Sequence, residues 1–432
     1  MNFKNKKIVI FGLGNYKDGS GISAALFFAK EDAKLTITDL KTKKELSPQL
    51  KRLKKYKNIR YVLGKHRMQD FQGADYIFKN PSVPKNSPYL QIARKNKIPI
   101  INDWTVFFDR RPANLLIGIT GSKGKSTAAA LIYHILKTAK KDVVLCGNIG
   151  QSPLSMLNKI KKDTIVIAEL SSWLLHEFEF VKKSPQIAVI TNLMPDHLDK
   201  YKNIKEYYRD KENIFRFQKP GNYLILNRND KNLRKLTKRA KSRVIWYDGN
   251  LKNAASNVTK ILGIPKKIID KTLKNFKGLP ARLELIAEKN GIKYYNDTTA
   301  TMPDATIYAL HSLKNYKGKI ILIAGGVDKK LDYKNLANEI PKFVKALILF
   351  KGSASEKILK ELEIKNLSAD RQDLKLEIIK GVSLMKEAVE IASRFTSKGN
   401  IILLSPGAAS FNMFKNEFDR GGQFNKFVKQ LK

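Results

Sequence analysis

An internal disulfide is out of reach for this chain, because its 432 residues include a single cysteine, Cys146. That fits a reducing compartment, where disulfides are rare. Acidic residues are scarce as well, 39 against 82 lysines and arginines, which leaves a formal charge of +43. Such a field attracts polyanions, and nucleic acid is the first partner to weigh. The basic residues are scattered through every region, however, and no RNA- or DNA-binding motif is interleaved with them. A general lysine bias on solvated helix faces accounts for the charge, so no specific nucleic-acid partner is expected, while small polyanionic substrates would be welcome. Long apolar runs are also missing. Stretches such as Ile320 to Ala324 and Ile401 to Leu404 are far too short to span a bilayer. Met1-Asn2-Phe3-Lys4 leads straight into the strand-like Ile8-Val9-Ile10-Phe11, with no apolar stretch of signal-peptide length. The expectation is a soluble cytoplasmic protein with no membrane partner.

What is present is ample core-forming material, 43% hydrophobic residues, in a chain long enough for roughly two to four domains. Short β-rich runs alternate with helical segments, the pattern of parallel sheets covered by helices. Strands are expected at Lys7 to Phe11, Lys34 to Thr38, Leu115 to Thr120, Val143 to Cys146, Thr164 to Ala168 and Gln186 to Thr191. Further ones are expected at Tyr223 to Leu226, Val244 to Tyr247, Ile320 to Ala324, Ala346 to Phe350 and Ile401 to Leu404. That is too many for one sheet. Breaks near the Asp103 to Ala113 stretch and the Lys277-Gly278-Leu279-Pro280 turn divide the chain into domains 1–106, 107–278 and 279–432.

The strongest chemical signal is Gly118-Ile119-Thr120-Gly121-Ser122-Lys123-Gly124-Lys125-Ser126-Thr127, which follows a strand and opens a helix. Leu131, Ile132, Ile135 and Leu136 give that helix one apolar face. Backbone N–H groups and the helix N-terminus suit phosphates. Lys125 would neutralise β- and γ-phosphates, and the Ser126 hydroxyl could bind Mg²⁺. The strict nucleotide-loop spacing is not met, since Ile119 stands where its first glycine belongs. A flexible Gly/Ser/Lys linker is the bland alternative, disfavoured by the strand before and the helix after. Downstream, Glu169 closes a strand-like run, where open α/β sheets build ligand sites. On spacing alone, a solvent-facing glutamate would fit equally well.

The form Gly-x-Thr-Gly-x-x-Gly-Lys-Ser-Thr resembles the Mur ligase family and its folylpolyglutamate synthetase relatives. The resemblance implies an α/β fold of three domains. These are a Rossmann-like N-terminal domain for a uridine-diphosphate sugar, a central P-loop-type ATPase domain with a mainly parallel sheet, and a Rossmann-like C-terminal domain for the incoming amino acid. It implies ATP binding at Gly121, Ser122, Lys123, Gly124, Lys125, Ser126 and Thr127, and catalytic roles for Lys125, Glu169, His197 and Lys211. Glu169 would hold Mg²⁺ with Ser126. His197, in Asn192-Leu193-Met194-Pro195-Asp196-His197-Leu198-Asp199, would ligate a second Mg²⁺. Lys211 matches a lysine that the family N-carboxylates, which turns a cation into an acidic group near the metal.

At the N-terminus, a dinucleotide fingerprint is poor, because Lys17 replaces the expected third glycine after Phe11-Gly12-Leu13-Gly14. The resemblance instead places Gly14, Asp39, Pro81, Asn148 and Ser171 at a UDP-sugar site. Towards the C-terminus it adds Asn253, Arg282 and Asp297 around the nucleotide. Thr301, Lys329, Ser410 and Phe411 would surround the amino acid. The stretch from Ser405 to Arg420-Gly421 resembles the branch that adds D-glutamate. Departures fall at Thr299, where many members of that branch carry lysine, at Met302-Pro303 and at Leu174. The expected reaction is ATP-dependent ligation of D-glutamate to UDP-N-acetylmuramoyl-L-alanine by a monomer, in peptidoglycan precursor synthesis. A sibling ligase adding another amino acid is the nearer rival; a nucleic-acid-binding ATPase, resting on charge alone, is the remoter one.

Overall fold

The computed structural model describes residues 1–110, 112–148, 151–196, 201–367, 376–410 and 413–431, so His197 and Phe411 lie outside the described residues. Three sheets form. The first runs Ile59–Leu63, Lys34–Asp39, Lys7–Phe11, Tyr76–Lys79, Ile100–Ile101, all parallel. The second, also parallel, runs Arg243–Tyr247, Tyr223–Asn227, Ile187–Ile190, Leu115–Thr120, Ile165–Glu169, Val143–Gly147. The third runs Glu284–Lys289, Ile292–Asn296, Ile401–Leu404, Ile320–Ala324, Val344–Phe350, Glu377–Val382, with only the first pair antiparallel. The first two sheets fall in one compact unit, Met1–Met194 with Tyr207–Phe276, and the third in another, Pro195–Glu206 with Lys277–Lys432.

Burial on both faces explains why the second sheet's strands read as unbroken apolar runs. Leu116, Val166, Ala168, Ala188 and Ile190 enter one core. Ile117, Ile119, Ile167, Ile187 and Val189 enter another, against Leu131, Ile132, Ile135 and Leu136 of helix Lys125–Thr138. Each such side chain contributes roughly 1.5–3 kcal/mol of transfer free energy, so the strand ends that carry polar residues are held by a rigid support.

Among the described residues, six strands escape the apolar-run reading: Ile59–Leu63, Tyr76–Lys79, Ile100–Ile101, Glu284–Lys289, Ile292–Asn296 and Glu377–Val382. Several are short or lie at an edge with half their residues exposed, as in Arg60 and Tyr61, so they lack a continuous hydrophobic signature. The antiparallel pair had a local signal of another kind. Asn290 and Gly291 join it with φ of 51° and 73°, the two left-handed positions that a tight hairpin turn requires.

The first strand-to-helix turn is unusually close. A Cβ on Gly21 would stand 2.2 Å from the Gly12 carbonyl oxygen and 2.7 Å from the Leu13 Cα. Gly21 thus supplies the close helix-to-strand approach that the third glycine of a dinucleotide fingerprint provides, a few positions later than the fingerprint has it. Gly21→Ala is expected to lower stability by about 1–3 kcal/mol, read as a falling melting temperature. Among the described residues no helix is long and apolar enough to cross a membrane.

Candidate active site

Strand Leu115–Thr120 lies between Ile165–Glu169 and Ile187–Ile190, and all three deliver their C-terminal ends to one edge. The chain runs from this strand through helix Lys125–Thr138 to the edge strand Val143–Gly147, returns to Ile165–Glu169, and then crosses to Ile187–Ile190 on the other side, a reversal of strand order that opens a crevice at the strand ends. The loop Gly121 to Gly124 fills the middle of that edge. Gly121 has φ +144°, and a Cβ there would lie 1.9 Å from Thr191 Oγ1. Gly124 caps helix Lys125–Thr138 with φ +79°. The Ser122 N–H donates to the Asn192 carbonyl at 2.9 Å, and the Lys123 N–H donates to Asn192 Oδ1 at 2.9 Å. Ser122 Oγ also donates to the Met194 carbonyl at 2.7 Å. The loop is therefore stitched to the segment after the neighbouring strand, and two of its N–H groups are spent on Asn192, a residue the sequence reading quoted but gave no task.

Lys125 folds back over the loop, its ammonium donating to the carbonyls of Gly121 at 2.8 Å and Ser122 at 3.0 Å. Lys211, 2% exposed on helix Ile204–Arg216, donates to the same Gly121 carbonyl at 2.9 Å and lies over the Tyr207 ring at 4.7 Å. Two lysines far apart in sequence thus meet on one oxygen. Ser126 is buried in the helix's first turn, with Thr127 beside it partly exposed.

Glu169 is 2% exposed, and its Oε2 has no hydrogen-bond partner. Its other oxygen receives only a 3.4 Å contact from Asn148 Nδ2. Gly147 has φ +99°, and a Cβ there would meet the Glu169 carbonyl oxygen at 2.2 Å, so the two strand ends fit only because residue 147 lacks a side chain. A buried carboxylate oxygen without a donor is costly unless something electropositive completes it. Among the described residues no cluster of three His, Cys, Asp or Glu side chains suited to a metal forms.

On the first sheet, the Asp39 carboxylate receives the N–H groups of Leu13 at 2.8 Å, Gly14 at 3.2 Å and Lys41 at 2.9 Å. It holds the first turn in shape as well as standing beside it. Asn80 donates to the Gly12 carbonyl at 3.1 Å and accepts from Ser82, which fixes the Asn80–Pro81–Ser82 turn against the first strand's end. Ser171 Oγ caps helix Ser172–His176 by accepting from the Leu174 N–H at 3.4 Å. Leu174 itself is 8% exposed within the apolar core.

Polar ties join these elements inside the first unit. Lys79 pairs with Glu177 at 2.9 Å, both largely buried. Asp210 pairs with Lys85 at 2.8 Å and with His176 at 2.9 Å. Burial pushes the Asp210 carboxyl upward, but its bonds to His176 and Lys85 outweigh that and hold it below the usual range. Asp103 accepts from both Ser20 and Ser152, and its burial drives its carboxyl above the ordinary range. Burial, helped by Asp103, pushes the Cys146 thiol up to about 12, so it is no nucleophile. A cavity of about 340 Å³, lined by Arg228, Trp246, Asp248, Asn253, Asn257 and Lys260 among others, opens beside Asn253. The amide of Asn253 donates to both Asp248 oxygens at 3.0 Å.

In the second unit, Asp297 Oδ1 receives the Leu283 N–H at 3.0 Å and Oδ2 the Ser405 hydroxyl at 2.8 Å, which ties the Arg282 turn to the strand end at Leu404. Lys329 Nζ lies 3.2 Å from Thr301 Oγ1 and 3.7 Å from Asp196 Oδ1. Ser410 is 3% exposed and follows Ala409, which exchanges backbone bonds with Val327 at 3.0 Å. Thr301, Lys329 and Ser410 are thus brought to neighbouring segments.

Arg420 carries a task that the sequence reading did not assign. It is fully buried, and its guanidinium donates to Thr298 Oγ1 at 3.0 Å, the Thr298 carbonyl at 2.7 Å and the Ala408 carbonyl at 3.2 Å. Burial lowers its pKa to about 10, which leaves it charged at neutral pH. The signal was available in Arg420-Gly421-Gly422, because paired glycines inside helix Glu417–Gln430 cost helix stability and mark a close approach. A Cβ on Gly421 would meet Thr298 Cγ2 at 2.5 Å. Arg420→Ala is expected to cost about 3 kcal/mol through lost charged hydrogen bonds and a cavity, measured by denaturant unfolding.

The Mur ligase middle domain model matches residues 119–290, the Mur ligase glutamate ligase domain residues 281–407, and the MurD-like N-terminal domain residues 6–102. The chain belongs to the Mur ligase family. Among curated relatives it is 36% identical to a UDP-N-acetylmuramoylalanine--D-glutamate ligase of Borreliella burgdorferi (strain ZS7), over 99% of this chain and 98% of that one. It is 35% identical to the ligase of the same name from Roseiflexus sp. (strain RS-1), over 100% of both. Among solved structures it resembles the UDP-N-acetylmuramate-alanine ligase of Thermotoga maritima, with a TM-score of 0.64 and 18% identity over 99% of this chain and 100% of that one. A MurF ligase from Thermotoga maritima in complex with ADP gives a TM-score of 0.61 and 17% identity over 99% of this chain and 98% of that one.

Proposed function

We propose that this chain is an ATP-dependent ligase that joins D-glutamate to UDP-N-acetylmuramoyl-L-alanine in peptidoglycan precursor synthesis. The observation that carries the reading is the set of groups at one crevice: a phosphate loop, two lysines on its Gly121 carbonyl, and a buried Glu169 oxygen without a donor. The family's end-to-end match supplies the reaction.

Lys125 and the first-turn N–H groups from Gly124 to Thr127 would bind the ATP phosphates, at the positive end of the helix dipole. Asn253, Arg282 and Asp297 would hold the rest of the nucleotide. Glu169 and Ser126 fit one Mg²⁺, because the Glu169 oxygen offers an acceptor that no protein donor uses. His197 and an N-carboxylated Lys211 would hold a second. Bound Mg²⁺ supplies charge neutralisation at the phosphates. Lys211 as a bare ammonium would stand beside Lys125 on one carbonyl; N-carboxylation reverses its sign and removes that crowding. An intact-mass measurement under bicarbonate should show the gain of one CO₂, lost in the Lys211→Met variant.

Gly14, Asp39, Pro81, Asn148 and Ser171 would position the UDP-sugar. A carboxylate oxygen of its L-alanyl group attacks the γ-phosphorus, ADP leaves, and an acyl phosphate results. D-Glutamate, held by Thr301, Lys329, Ser410 and Phe411, attacks the carbonyl carbon with its neutral amine; phosphate departs, the nitrogen gives up one proton to solvent, and the amide forms. Lys125 stabilises the negative charge that builds on the transferring oxygens. We place the domains at 1–106, 107–278 and 279–432, and the enzyme in the cytoplasm as a monomer.

The test is phosphate release from MgATP with UDP-N-acetylmuramoyl-L-alanine, supplying one amino acid at a time and weighing the product. Release only with D-glutamate, with the matching product mass, is expected. Release with a different amino acid would move the protein to a sibling activity, and no release with any would end the reading.

A further inference from the structure

The segment that carries Arg282 is bent against its own preferences. Ala281 has φ 61° and Leu283 φ 48°, so the residues on both sides of Arg282 occupy the left-handed region that side chains disfavour. Each such residue costs on the order of 1 kcal/mol and persists only where its surroundings over-determine it. Here they do. The Ala281 N–H donates to Glu284 Oε2 at 2.7 Å, the Arg282 N–H to the Leu279 carbonyl at 3.3 Å, and the Leu283 N–H to Asp297 Oδ1 at 3.0 Å. The Ala281 carbonyl receives two donors from one residue, the Thr299 hydroxyl at 2.9 Å and the Thr299 N–H at 3.3 Å.

Thr299 is the position where the sequence departs from the lysine common in the D-glutamate-adding branch. Its hydroxyl is committed to the Arg282 turn. Thr301, two residues on, makes the contact with Lys329. The two threonines thus serve different neighbours: Thr299 the strained turn, Thr301 the lysine assigned to the amino acid.

We propose that Thr299 is a positioning residue for Arg282, acting on nucleotide binding through the latched Ala281–Leu283 turn and not on the recognition of D-glutamate. The proposal rests on the reading of Arg282 as a nucleotide-contacting group. Removing the hydroxyl leaves the Ala281 carbonyl with a single, longer donor and frees one constraint on a turn that two left-handed residues already oppose. The turn then samples other conformations, and Arg282 is presented for a smaller fraction of the time.

The experiment compares Thr299→Val, Thr299→Ser, Arg282→Ala and the Thr299→Val/Arg282→Ala double variant in full-length enzyme. Michaelis constants are measured for ATP, D-glutamate and the UDP-sugar, alongside melting temperature and ADP affinity by calorimetry. Thr299→Val is expected to raise KM for ATP and weaken ADP by about five- to tenfold, as loss of one part-buried hydrogen bond allows. KM for D-glutamate should stay within about twofold, the scale of surface effects. Thr299→Ser, which keeps the hydroxyl, should restore ATP binding. In the Arg282→Ala background Thr299→Val should add nothing, since it acts through that residue. If Arg282→Ala leaves nucleotide binding unchanged, the reading of Arg282 fails. If Arg282→Ala weakens ATP while Thr299→Val shifts D-glutamate, adds to Arg282→Ala or changes nothing, the latch is overturned and the reading of Arg282 survives. A general fall in stability would lower all three affinities together, and that pattern also counts against the latch.

Discussion

Lys125→Ala is expected to reduce kcat/KM by about a thousandfold or more, the scale for removing a preorganised charge at a phosphoryl-transfer centre. Substrate-dependent phosphate release, followed in the same preparation whose melting curve is recorded, is the measurement. The fold should persist in the variant, because the loop remains tied to the neighbouring segment by the bonds of the Ser122 and Lys123 N–H groups to Asn192. A variant that melts normally and keeps near-full turnover would remove the loop from the chemistry.

Glu169→Gln is expected to have the second-largest effect, a loss of roughly a hundred- to a thousandfold in kcat/KM with a steeper requirement for Mg²⁺. The argument begins from burial. A carboxylate oxygen at 2% exposure with no donor is held at a cost that the fold alone does not recover. The amide keeps the shape and relieves the uncompensated buried charge, so melting should hold or rise while Mg²⁺ dependence shifts strongly. Titrating activity against Mg²⁺ separates the cases. An unchanged Mg²⁺ curve would mean that the orphaned oxygen serves something other than a cation.

Much of the architecture could be read in advance where burial made it continuous. Leu115–Thr120 was placed to the residue because both its faces are covered, and the same reason made the helix behind it legible. Strands with one face in water were not, since exposed Arg60 and Tyr61 break the run that an apolar reading seeks. The Asn290-Gly291 turn shows that a different signal, local backbone chemistry, would have recovered one missed pair. At the site, the loop and Glu169 stand out because motif and strand end are local features. The meeting of Lys211 with Gly121, ninety positions apart in the chain, is set by how helix Ile204–Arg216 packs, which no spacing encodes. Arg420 was visible in the terminal motif but its bonding was not, for the same reason: its three acceptors come from residues 298 and 408, remote in sequence and adjacent only after folding. Asn192 illustrates the opposite case, visible in a motif yet silent about its bonds until Ser122 and Lys123 are seen to use it.

The hairpin between Arg282 and Asp297 has a consequence for how this protein can vary. Its pairing runs from Glu284 opposite Asn296 to Lys289 opposite Ile292, closed by two residues and interrupted by a bulge between Leu285 and Ala287. The first arm has thus already taken in one unmatched residue, which the bulge absorbs. A further single residue, inserted without a bulge of its own, would turn the side chains beyond it to the other face, and would separate Asp297 from the Leu283 N–H it holds. The bulge is therefore the joint at which this hairpin takes up a change in length; away from it, a matched pair of residues at the turn is needed.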